Sequence, residues 1–236
     1  GRNLPGINTT STSGADFNKV RVAEDGRVFV GRYNFDGSYY LVAPSVAALV
    51  AGEEFTSLVE GWEFNDSIYR DTLGNFVAGP AQGFDVVGAG EDLKLITLAR
   101  NTNRLEAVFH QNAVVEYALG TAATLPAPTS VEALDMQYTI SYDRSANIAC
   151  DNRGGIWYVQ YRGTPSDDQP ALLYVNAAGE IKYFEGAGGK VRRRGALAVN
   201  PEGTRLAAAS ASGKVGVYDI TYAEDGTVTL TEVYDI

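Results

Sequence analysis

The feature that most constrains this chain is a fourfold recurrence of one pattern: a run of β-forming residues, a short polar turn with a glycine, and a second β-forming run. The four lines are V-R-V-A-E-D-Gly26-R-V-F-V, F-D-V-V-G-A-Gly90-E-D-L-K-L-I, N-I-A-C-D-N-R-Gly154-G-I-W-Y-V and L-A-V-N-P-E-Gly203-T-R-L-A-A-A. Each reads as a β-hairpin, because alternating apolar residues flank a turn whose glycine tolerates positive φ. The glycines stand 64, 64 and 49 residues apart, a spacing that suits four-stranded blades with generous loops.

A second hairpin follows each first one. The expected strand pairs are 38–45 with 54–61, 104–111 with 113–120, 171–175 with 180–186, and 214–220 with 227–236. Two hairpins per repeat make four strands, so the expected fold is all-β and β-propeller-like, with four blade units at about 17–61, 83–120, 138–186 and 195–236. A β-sandwich built from the same hairpins is the alternative. Helix is expected only as short turns at 44–51 and 130–136. Phe29 and Trp157 each follow their turn glycine by three positions and are expected to be buried as equivalents, with Gly26, Gly90 and Gly203 in tight turns at one common end.

The stretch 196–220, A-L-A-V-N-P-E-G-T-R-L-A-A-A-S-A-S-G-K-V-G-V-Y-D-I, resembles a blade of the WD40 and YVTN type, with Tyr218-Asp219 where a WD repeat carries Trp-Asp. The other three units are similar to NHL and gluconolactonase-like propellers. The resemblance covers residues 17–236 and implies a fold before it implies a function. All four units lack the Gly-His signature of WD40 repeats.

Composition narrows the function classes. Of 236 residues, 29 are acidic and 19 basic, a net charge of -10, whereas proteins that neutralise phosphates or bind anionic lipid need a basic surface. Nucleic acid and membrane insertion are therefore not expected. No apolar run approaches a membrane span, and no basic-then-apolar leader opens the sequence. The small polar run T-T-S-T-S at 9–13 reads as a linker or the sequel to a processed leader, so residues 1–16 are expected to form an arm, in an extracellular, cell-surface or periplasmic protein. Cys150 is the single cysteine; it cannot form an intrachain disulfide and is expected as a buried apolar filler.

Chemistry-bearing motifs are sparse. The sequence contains no G-x-S-x-G elbow, no phosphate-binding P-loop and no G-x-G-x-x-G fingerprint. Gly186-Ala-Gly188-Gly189-Lys190 superficially resembles a P-loop, but Val191 replaces the magnesium-holding Ser or Thr. His110, the single histidine, reads as an exposed strand-end residue. Asn18, Asp85 and Asn147 fall near the ends of first strands, where a propeller can gather oxygen ligands around a cation such as Ca²⁺. Gluconolactonase-like enzymes bind a divalent ion in this manner, so the resemblance implies a metal-dependent hydrolase or lactonase as the alternative function. No other cofactor is expected.

Antiparallel alternation sends the short glycine turns to one end of the sheets and the long connections 61–83, 162–169 and 186–194 to the other. The first of these joins Trp62 and Tyr69 to Arg70 and Asp71. An aromatic face can stack on the apolar side of a sugar ring while carboxylates and guanidinium groups bond its hydroxyls. Arg100 and Arg162 are expected at the same end. Asn65-Asp66-Ser67 and Asn8-Thr9-Thr10 are N-x-[ST] sequons. The expected function is a non-catalytic binding or interaction module for a glycan or a partner protein, with a structural blade set inside a larger surface protein as a third reading. Additional blades or domains of a parent chain are further expected partners.

Overall fold

Sixteen strands and one α-helix make up the regular structure of residues 16–34, 37–58, 84–100, 111–135, 147–159, 172–184, 196–209 and 215–235, the portion that the computed structural model describes. The strands form four four-stranded sheets. The first contains β1 (Asp16–Val22), β2 (Val28–Asn34), β3 (Gly37–Ala43) and β4 (Thr56–Ser57); the second, β5 (Phe84–Val87), β6 (Lys94–Arg100), β7 (Gln111–Ala118) and β8 (Ser130–Asp135). The third contains β9 (Asn147–Cys150), β10 (Ile156–Val159), β11 (Leu172–Val175) and β12 (Ile181–Phe184); the fourth, β13 (Leu197–Val199), β14 (Arg205–Ala209), β15 (Val215–Tyr222) and β16 (Val228–Asp235). Every neighbouring pair is antiparallel and every sheet keeps chain order. No described strand leaves its sheet, as a Greek-key sandwich would require. The fold is almost entirely β and propeller-like, built from blade units.

The chain divides into two compact units, Gly1–Gln137 and Tyr138–Ile236, with two sheets in each. In the first unit, Phe29 and Tyr40 of the first sheet, with Leu58 just after β4, meet Phe84, Leu95, Val115 and Tyr117 of the second. Gly31 makes this approach possible: a Cβ there would lie 2.7 Å from the Phe84 ring, which packs edge-on against Tyr40 at 5.3 Å. Tyr40 also donates to Thr97 Oγ1 across the sheets at 3.1 Å, so a polar pair inside this core is satisfied. In the second unit, Trp157 packs against Tyr174 at 4.7 Å and Phe184 at 5.3 Å, and the cluster continues to Leu206 and Tyr218 of the fourth sheet.

The repeat register is carried by the second strands. Phe29, Leu95, Trp157 and Leu206 are each the second residue of their strand, and all four are 0% exposed. Their third-strand partners are Val42, Tyr117, Tyr174 and Tyr218. The first strands of each unit are also neighbours, β1 beside β5 and β9 beside β13.

Several expectations need correction. Residues 130–135 form β8 and not a helical turn: Glu132, Ala133 and Leu134 favour helix locally, but β7 offers a complete ladder from Gln111 to Glu116, and tertiary pairing overrides a propensity of a few tenths of a kcal/mol per residue. No turn breaks the chain at Asn112, because β7 runs unbroken from Gln111 to Ala118 against β6. Gly90 lies in a 3-10 turn, Gly90–Asp92, within a longer connection that also places Gly88 at φ 85°. Cys150 is half-buried at the end of β9, an edge strand, and so does not fill a core. The short helix α1 (Val46–Ala51) forms where one was expected, capped by Ser45 Oγ accepting from Ala48 N at 3.0 Å and closed by Gly52 at φ 95°. No helix among the described residues is long and apolar enough to cross a membrane.

Candidate functional site

The meander order assigns every connection to an end. In each sheet the first turn and the link between third and fourth strands share one end, while the middle connection and the link to the next sheet leave from the other. The first end is locked by side chains.

In the first unit the lock is Asp25. Its Oδ2 accepts from Arg27 Nη2 at 2.7 Å, Arg27 Nε at 2.9 Å and the Gly90 N–H at 2.9 Å, so the first turn of one sheet grips the first turn of the next. Arg27 Nη1 then donates to the Gly120 carbonyl at 2.8 Å. Hydrogen bonding from the Arg27 guanidinium holds the Asp25 carboxyl down at about 2, helped by the Gly90 and Arg27 backbone N–H groups.

The second unit uses different residues at the equivalent place. Asn152 Nδ2 donates to the Glu202 carbonyl at 3.1 Å, joining the β9–β10 turn to the β13–β14 turn. Beside it, Asp151 is 5% exposed and accepts four hydrogen bonds: the Arg153 and Gly155 N–H groups at 2.8 Å each, Tyr174 OH at 2.8 Å and Tyr222 OH at 2.9 Å. The Arg153 guanidinium lies 4.3 Å from the Tyr222 ring centroid. Burial, followed by the adjacent Asp151 carboxylate, pushes both phenols well above the ordinary tyrosine range. They therefore serve as neutral donors to a buried charge, the arrangement that makes such a charge tolerable. Nothing in the sequence pattern alone singles out this cluster, since Asp151, Tyr174 and Tyr222 are far apart in the chain.

The residues expected at a cation site fall in two units, Asn18 and Asp85 in the first and Asn147 in the second. Asp85 is buried in β5, opposite Ile96, and its Oδ1 accepts from Arg21 Nε at 2.6 Å and from Val86 N at 3.0 Å. Asn18 occupies a bulge in β1, where the register steps from Phe17 opposite Arg32 to Lys19 opposite Gly31. Asn147 opens β9 opposite Val159, in the other unit. Among the described residues no group of three or more His, Cys, Asp or Glu side chains is arranged to hold a metal ion.

Of the expected ligand-binding residues, Arg100 is the last residue of β6, opposite Asn112 and at the end away from the Asp25 lock. Trp62, Tyr69, Arg70, Asp71 and Arg162 lie outside the described residues, as do His110, the glycines at 186–189, both sequons and residues 1–15.

No family model matches this sequence, so the WD40-like and NHL-like resemblance stops at the blade pattern. No curated protein matches it either. Among solved structures the chain is similar to a GH43 protein of Bacillus licheniformis, at 10% identity and a TM-score of 0.48, over 93% of this chain and 42% of that one. It is similar to a xylan β-1,4-xylosidase of Bacillus halodurans C-125 at 11% identity and a TM-score of 0.44, over 96% and 45%. A GH43_1 enzyme of Xanthomonas citri matches at 9% identity and a TM-score of 0.38, over 94% and 92%. The chain thus spans less than half the length of the first two structures.

Proposed function

We propose that this chain is a non-catalytic binding module, acting in an extracellular or periplasmic setting, whose blade units carry a glycan or a partner protein on the connections opposite the locked turns. The observation that supports this reading most is the commitment of polar groups at one end of the sheets to holding the turns there. At the locked end, Asp25, Arg27, Asp151, Asn152 and Asn200 spend their polar atoms on neighbouring turns and strands. Residues committed in this way are poorly placed to serve a ligand. The connections at 59–83 and 160–171 join the opposite strand ends, and they carry Trp62, Tyr69, Arg70, Asp71 and Arg162, with Arg100 at a strand terminus on that side. In the first unit, two aromatics, two guanidinium forks and a carboxylate suit a sugar, which offers apolar ring faces and hydroxyls together; Arg162 adds a third fork on a connection of the second unit.

The Arg21–Asp85 pair favours this reading over a metal-dependent hydrolase. A cation at Asp85 would compete with a guanidinium already 2.6 Å from its Oδ1, and the like charges would repel.

A glycan-array screen run with added Ca²⁺ and with EDTA tests both readings. Binding unaffected by EDTA is expected. Trp62→Ala and Tyr69→Ala, made separately, should each weaken binding of the identified glycan at least tenfold at unchanged melting temperature. Unchanged affinity in both would remove the 59–83 connection from the site, and a large drop in melting temperature would mean that the aromatics anchor the chain instead.

A further inference from the structure

The second unit contains a buried carboxylate that its turn lock does not require. Asn152 ties the first turns of the third and fourth sheets by itself, and in the first unit an exposed carboxylate, Asp25, does the same work. Asp151 is only 5% exposed, and an apolar residue of similar size in place of a buried charge commonly holds a fold as well or better. The surroundings are nevertheless shaped to keep it. Gly155 forgoes a side chain at the place where the Tyr174 hydroxyl passes on its way to Asp151.

What the arrangement adds is a proton acceptor beside a stack of oxidisable rings. Tyr174 and Tyr222 both donate to Asp151 Oδ2, at 2.8 and 2.9 Å, within the reach a carboxylate needs to take a phenolic proton. The two phenol rings meet edge-on at 6.1 Å, and the Trp157 indole lies 4.7 Å from Tyr174. Phenol and indole rings give up a single electron more readily than the aliphatic side chains around them. Trp157 and Tyr174 are buried, whereas Tyr222 is half-buried and is the place where the stack meets solvent. The Arg153 guanidinium, 4.3 Å from the Tyr222 ring centroid, opposes a positively charged ring. An electron can therefore leave Tyr222 readily only if its proton leaves with it.

We propose that this cluster is a one-electron oxidation site. A one-electron oxidant at the surface, of the class of high-valent metal centres, takes an electron from Tyr222 while the phenolic proton passes to Asp151 Oδ2. The O–H bond of the phenol breaks and that of the carboxyl forms, leaving a neutral tyrosyl radical, an uncharged Asp151 and an oxidant reduced by one electron. The new carboxylic acid is a donor and hydrogen-bonds back to the radical oxygen. Exposure alone would direct the oxidant elsewhere, because Tyr234 is 61% exposed; the carboxylate partner selects Tyr222 instead. The site is independent of the connections assigned to ligand binding above.

The test uses the full chain and flash-generated tris(bipyridine)ruthenium(III) as oxidant, with the tyrosyl radical followed by optical absorption and by electron paramagnetic resonance. Tyr222→Phe should lower the radical yield at least fivefold at unchanged melting temperature, and Tyr234→Phe should leave it unchanged. Radical formation in the parent chain should be at least twofold slower in D₂O, the mark of a coupled proton. Asp151→Asn, which keeps the shape and removes the proton acceptor, should lower the yield at least fivefold. Tyr222→Phe, which deletes one hydroxyl from a half-buried ring, keeps the test decisive should Asp151→Asn fail to fold. The proposal is overturned if no tyrosyl radical forms in the parent chain, if the yield survives Tyr222→Phe or a folded Asp151→Asn, if Tyr234→Phe abolishes it, or if D₂O leaves the rate unchanged.

Discussion

Two glycines show how different the demands on one residue type can be. Gly26 needs its freedom only for backbone reasons: φ is +88°, and a Cβ there would meet nothing within 4 Å. Gly155 is held by packing instead, since a Cβ would fall 2.0 Å from the Tyr174 hydroxyl and 2.4 Å from the ring carbon bearing it. Gly26→Ala should therefore cost about 1 kcal/mol, the strain of a left-handed backbone. Gly155→Ala should cost about 3 kcal/mol or more, because it adds overpacking to the loss of the buried Tyr174–Asp151 hydrogen bond. Urea melts of the two variants check the order, and a Gly155→Ala cost no greater than that of Gly26→Ala would contradict the packing described. Gly26 was legible in the sequence, because a turn glycine between two β runs announces itself. Gly155 was not: what requires it is an aromatic ring 19 residues away in sequence, placed only by the pairing of Trp157 with Tyr174.

Between elements, the locks do most of the work that loops leave undone. Asp25 binds its own turn and the next sheet's turn with a single carboxylate, and its folded value of about 2 lies below the ordinary 3.8. A depressed carboxyl contributes stability that is complete above the unfolded value and is lost as pH falls through the folded one. The stability difference between the parent chain and Asp25→Asn should thus be constant above about pH 5 and shrink between about pH 4 and 2. Chemical denaturation across that range measures it; a difference that persists undiminished at pH 2 would show that the ionised carboxylate is not what holds the turns. Sequence patterns foretold the hairpins that these locks join, since a period of two and a turn residue are local signals. They misplaced β8, whose helix-forming Glu132, Ala133 and Leu134 are overruled by a partner strand, and they could not anticipate Asn152 and Glu202 meeting across 50 residues. The candidate site was legible only as a composition of side chains on a long connection, because stacking and hydroxyl-bonding groups can be counted in a sequence whereas their convergence depends on strand ends distant in the chain.

At the scale of the molecule, the chain-order meander has a kinetic consequence. Each sheet is drawn from one continuous stretch, so every ladder closes between neighbouring strands and each sheet completes before the next begins in sequence. Contact order is therefore set by hairpins and not by distant strand exchange, and folding should be fast for an all-β chain of this length. The ladders can form as local units, while the two cores, around Phe84 and around Trp157, require a second sheet to arrive. During synthesis the first and third sheets should consequently wait with apolar faces open until the second and fourth emerge, and that interval is when the nascent chain is most exposed to misassembly.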